Sequence, residues 1–159
     1  MKKSRFLMIL MMILPLFSLP LLGRDTIKRF LPSTILICIV VRLMNISAKK
    51  RKWWVFYSSV HPKVPGDIPF IIGPFFILSL WILKMTFGKF PLYVVTNTIT
   101  HFLFAFPGLK FLKRLGIVSL VRLSPIQFVL ILELRAFLLY GSQFAIEKMK
   151  QNKVSNFIF

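Results

Sequence analysis

The sequence predicts an all-α integral membrane protein, a single-domain helical bundle of four to five transmembrane helices. Three observations predict it. The 159-residue chain is 57% hydrophobic with a mean hydropathy of +0.77, while only 16% of it is charged, against about 25% in soluble domains. Five stretches approach the roughly 20 apolar residues that cross a bilayer. Between them lie most of the 22 Lys and Arg, which give a net charge of +18. The acids are only Asp25, Asp67, Glu133 and Glu147, so most cations must face water, phosphate or headgroups.

The first stretch, residues 6–22, reads "FLMILMMILPLFSLPLL" behind "MKKSR". A basic start and an apolar run also describe a signal sequence. No A-x-A pattern or lipid-accepting Cys follows, and the expectation is a retained first helix. Met8, Met11 and Met12 are expected to pack adaptably rather than ligate.

The second stretch, residues 30–46, contains Arg42 four residues before its end, where an arginine can snorkel to the interface. The third, residues 68–87, is apolar from Ile68 to Leu83; Asp67 is placed to cap it and Pro69 falls in its first turn. Gly73 and Pro74 are expected to bend it. Residues 90–109 lack Lys, Arg, Asp and Glu. The last span, residues 125–144, opens on "SPIQ", where Ser124 and Gln127 form a capping-box pattern and Pro125 takes the first helical position.

With five spans, the N-terminal Lys2, Lys3 and Arg5, the loop near 47–66 and the loop near 110–124 share one side and hold the larger share of the cations. The positive-inside bias makes that side cytoplasmic. In "AKKRKWWVFY", Lys49, Lys50, Arg51 and Lys52 precede Trp53 and Trp54. Cations near an anionic leaflet contribute about 1 kcal/mol each, and tryptophans settle at headgroup depth. These six residues are assigned to anionic-lipid contact. Nucleic-acid binding also interleaves cations with aromatics, but here the spans divide the charge among separate loops, so no nucleic-acid partner is expected. "LKFLKRLGIVSLVRL", Leu109 to Leu123, reads as a solvated basic loop with an apolar underside.

Polar residues at membrane depth carry the site expectation. The eleven Leu, Ile, Val and Phe residues between Ile126 and Phe144 favour insertion by roughly 3–7 kcal/mol, and central Glu133 and Arg135 oppose it by roughly 5–7 kcal/mol. These two charges therefore need partners. Two residues apart, they point about 200° apart on a helix, so the partners must come from other helices. On the fourth span Tyr93, Asn97 and His101 repeat at four-residue spacing beside Thr96 and Thr100, a polar arc of about 140°. His101 and Glu133 each lie eight residues from the expected inner end, about 12 Å deep. The reckoning pairs His101 with Glu133 and sets Arg135 near Asn97. Tyr93, Asn97, His101, Glu133 and Arg135 are thus the candidate ligand or ion path; the competing reading is an interhelical contact that fixes packing.

No catalytic residue is assigned. Ser58, Ser59, His61 and Asp67 in "SSVHPKVPGD" suggest a triad, but the spacing matches no nucleophile motif. Single Cys38 permits no internal disulfide and offers no metal-ligand spacing. No metal, cofactor or enzymatic activity is expected.

From Lys49 to Gln127, and most distinctively in "GPFF", "WILK" and "GKF", the chain resembles a group of small multi-pass membrane proteins of spore-forming Gram-positive bacteria. The resemblance implies a bacterial cell-membrane location and no mechanism. The expected role is an accessory or assembly component acting through the lipid bilayer and its anionic headgroups, with a membrane protein partner or a homo-oligomer as contact. The alternative is a transport or permeation component using the polar cluster.

Overall fold

A computed structural model describes the backbone of residues 2–158 and the side chains of residues 3–152; the side chain of Lys2 lies outside that range. Five helical segments are long and apolar enough to cross a membrane: Lys3–Leu22, Arg24–Lys50, Ile68–Thr86, Phe90–Arg114 and Pro125–Asn152. All five expected spans are present. Most are longer than the apolar runs, because polar turns continue the helices at one or both ends.

The first segment is α1 (Lys2–Leu16) followed, after a break at Phe17 and Ser18, by α2 (Leu19–Leu22). Pro15 and Pro20 deny the ladder two donors there, and Ser18 bonds back to the Pro15 carbonyl at 2.7 Å. Gly23 turns the chain at φ +81° into α3 (Arg24–Lys50). Lys52, at φ +53°, ends α3, and the Trp53 N–H closes on the Ala48 carbonyl at 3.0 Å, a helix stop in which glycine ordinarily takes the left-handed position.

The third segment is one turn of α4 (Ile68–Phe70), a π-helical stretch Ile71–Phe75, and α5 (Phe76–Thr86). The expected bend at Gly73–Pro74 takes this π form, since proline removes a donor from the ladder. Bare Gly73 lets α1 cross at backbone distance: a Cβ there would meet Met12 Cα at 2.7 Å. Gly88, at φ +89°, turns the chain into α6 (Phe90–Leu103). A second π stretch, Phe104–Gly108, contains Pro107 and leads into α7 (Leu109–Arg114). Residues 109–114 therefore extend the fourth span. α8 (Pro125–Ile158) begins with the expected capping box: Gln127 N–H donates to Ser124 Oγ at 3.3 Å, and Ser124 N–H to Gln127 Oε1 at 3.0 Å.

Two short strands, not expected from the sequence, join the basic loops. β1 (Trp54–Phe56) pairs antiparallel with β2 (Val118–Leu120), Val55 opposite Ser119. A two-stranded ribbon is marginal by itself. This one rests on buried Ile117 and Val118, and Trp54 packs edge-on against Phe128 at 5.6 Å. Ser4 Oγ donates to the Leu115 carbonyl at 3.0 Å, which brings the N-terminal segment to the same end. The grouping of the N-terminus with the two basic loops is thus a physical one.

The opposite end is closed by Arg29 and Glu147, with Arg29 Nε 2.6 Å and Nη2 3.0 Å from the two carboxylate oxygens. Ser33 donates to Gln143 Oε1 at 2.6 Å beside them. Two apolar clusters fill the bundle. One gathers Met8, Ala48, Trp54, Ala105, Phe128 and Leu132 toward the strands; the other gathers Phe30, Val41, Leu80, Tyr93, Ala136 and Leu139 toward the glycine turns. Between the two clusters fall Arg42 and Asn45 of α3, Asn97 and His101 of α6, and Glu133 and Arg135 of α8.

Candidate functional site

That seam holds the candidate site. From α6, Tyr93 is 1% exposed, and its hydroxyl donates to the Ala136 carbonyl of α8 at 2.7 Å. Asn97 Nδ2 donates to the Tyr93 carbonyl at 2.9 Å, and Thr100 bonds back to Thr96 at 2.8 Å. One turn on, His101 Nδ1 stands 2.9 Å from Glu133 Oε1, the contact reckoned from helix depth. Both side chains are nearly covered, at 13% and 16% exposure.

Arg135 takes a different partner from the one expected. Its Nη2 donates to Asn45 Oδ1 of α3 at 3.3 Å rather than to Asn97. Asn97 donates within its own helix, and the oxygen that accepts from Arg135 comes from α3. Asn45 Nδ2 in turn donates to Asp67 Oδ2 at 3.1 Å, and Arg42 Nη1 reaches both Asp67 oxygens at 2.9 and 2.7 Å. Asp67 therefore makes no side-chain cap for α4. An acid 6% exposed is better matched by a guanidinium than by a backbone N–H, because burial raises the cost of unpaired charge. For the same reason Arg42 turns onto Asp67 instead of snorkelling.

Trp54 also departs from expectation. It is 7% exposed and cannot contact headgroups, because β1 turns its ring inward over the Arg135 guanidinium, 5.8 Å away. Trp53 is half-buried under Arg51 at 5.6 Å, while Lys49, Lys50, Arg51 and Lys52 are exposed. The four serine, histidine and acid residues weighed as a triad are engaged separately: Ser58 with the Gly116 carbonyl, Ser59 with the His61 carbonyl, His61 Nδ1 with the Lys63 N–H, and Asp67 with Arg42.

Part of this network borders a cavity of about 220 Å³, which Asn97, His101 and Arg135 line and Tyr93 and Glu133 do not. Its polar wall includes Asn45, Asp67, Asn97, His101 and Arg135, and its apolar wall includes Val41, Ile71, Phe75, Leu132 and Ala136. Trp54, Phe56, Val118 and Leu120 floor it from the ribbon. The sequence reading missed Arg42, Asn45 and Asp67 as members. The available signal was Arg42 and Asn45 at three-residue spacing on one helical face, together with the scarcity of acids, which makes a buried Asp67 the natural counter-ion for a span arginine. No family model, curated protein or solved structure matches this chain.

Proposed function

We propose that this chain is a small multi-pass protein of the bacterial cell membrane, with loops 47–66 and 110–124 in the cytoplasm, that holds a ligand in its intramembrane cavity and performs no catalysis. The observation that carries the reading is the convergence of polar side chains from α3, α6 and α8, with Asp67, on one cavity. Polar groups buried solely to fix packing gain most when every hydrogen bond is made and no space is left. This wall has space and an unpartnered donor.

The exposed cations at Lys49 to Lys52 support contact with anionic headgroups, and the exposed apolar faces of the helices support contact with lipid or with a membrane protein partner. An accessory role and ligand holding are compatible. Permeation is the second reading, supported by the His101–Glu133 pair, since intramembrane acids and histidines build proton relays. Proteoliposomes loaded with a pH-sensitive dye separate the two. Holding predicts no proton flux above empty vesicles; flux abolished by Glu133→Gln with His101→Ala would establish permeation instead.

A further inference from the structure

Among the described residues, no acid stands within ion-pair distance of Arg135. Arg135 is 6% exposed, its Nη2 has a neutral amide oxygen at 3.3 Å, and its Nε has no hydrogen-bond partner among the described residues. A guanidinium keeps its charge and offers five N–H donors. Left unpaired in a protein interior, such a charge is costly. The neighbouring acids are committed elsewhere. Asp67 accepts from Arg42 and Asn45, and Glu133 lies about 200° around α8 from Arg135, held by His101.

Around this cation the wall is mainly apolar, formed by Val41, Ile71, Phe75, Leu132 and Ala136. The cavity, at about 220 Å³, exceeds the roughly 150 Å³ that admits benzene and falls below the roughly 300–1,000 Å³ of drug-sized pockets. Arg135 lies ten residues into α8, about 15 Å along its axis and near the middle of a hydrocarbon core about 30 Å thick. Headgroups of bilayer phospholipids do not reside at that depth. A small molecule held between the helices can.

Resting on the reading of the cavity as a ligand site, we propose that it binds a small single-chain anionic amphiphile, whose carboxylate or phosphate head pairs with Arg135 while its chain lies along the apolar wall. Trp54, stacked on the same guanidinium at 5.8 Å, holds the fork in place from the ribbon side.

Calorimetric titration of the full chain in dodecylmaltoside tests this with decanoate, decanol and inorganic phosphate, the last two lacking the charge and the chain respectively. Saturable decanoate binding is expected, with both controls weaker by about tenfold or more, the value of a charge-assisted hydrogen bond. Arg135→Met and Ala136→Phe are expected to lose it by a similar factor. The comparison of probes on the unaltered protein needs no variant to fold. Decanol binding as tightly as decanoate, or Arg135→Met retaining full affinity, would overturn the anionic head while leaving the cavity a ligand site. Phosphate binding as tightly as decanoate would overturn the amphiphile, and no saturable binding by any probe would overturn both readings.

Discussion

His101 and Glu133 meet at 2.9 Å between α6 and α8, at the level where the two apolar clusters of the bundle adjoin. Their contact ties the fourth span to the fifth through side chains that would each be unfavourable alone in hydrocarbon. Interhelical polar contacts in membranes average about 0.6 kcal/mol and reach about 1.7 kcal/mol. A double-mutant cycle with His101→Ala and Glu133→Ala, read by thermal unfolding in detergent, is expected to give a coupling in that range. Additive effects would mean the contact contributes nothing to stability.

The Asp67 carboxylate anchors the start of the third span to α3 through Arg42 and Asn45. Removing it in Asp67→Ala leaves two donors without their acceptor and is expected to destabilise the bundle by about 1–3 kcal/mol. Replacing both charges, in Arg42→Met with Asp67→Leu, is expected to recover most of that loss, as apolar substitutes for buried ion pairs often do. Chemical denaturation of the parent and the two variants gives the comparison, and Asp67→Ala as stable as the parent would contradict the anchor.

Gly73 and Gly141 should respond to alanine in opposite directions. At Gly73 the new methyl meets the backbone of Met11 and Met12 at under 3 Å, an overpacking expected to cost about 1–3 kcal/mol and to loosen α1. At Gly141, inside α8, nothing lies within 4 Å, and alanine is expected to stabilise by about 0.5–1 kcal/mol. Unfolding temperatures of the two variants, measured side by side, check the pair; equal shifts would contradict the close crossing of α1.

Lys52 occupies a left-handed position, φ +53°, where it ends α3. Such a conformation costs a side-chain-bearing residue about 1–2 kcal/mol. Lys52→Gly is therefore expected to raise stability by about 1 kcal/mol, read as a higher denaturation midpoint, and an unchanged or lower midpoint would place the cost elsewhere.

The five spans were legible because a run of about 20 apolar residues has one dominant solution in a bilayer. The capping box at Ser124 and Gln127 was legible because it is local, and the His101–Glu133 contact because depth can be counted from helix ends. Periodicity gives the polar face of each helix but not which helix it meets. That is why Arg135 was set beside Asn97 and found beside Asn45, and why Arg42 and Asp67 were read as a snorkel and a cap. The ribbon was hidden for a related reason: "WVF" and "VSL" are too short to show alternation, and their pairing joins residues more than sixty positions apart. Trp54 reads as an interface residue in any window of sequence, and only the strand pairing turns it inward.

The central claim is that the cavity beneath the ribbon holds a ligand against Arg135. Native mass spectrometry of the chain released gently from its own membrane, run beside Ala136→Phe at matched expression, tests it most directly. The expected result is a bound acidic amphiphile on the parent chain that is absent from the cavity-filled variant. Bare chain in both spectra, or the same bound mass in both, would contradict the claim.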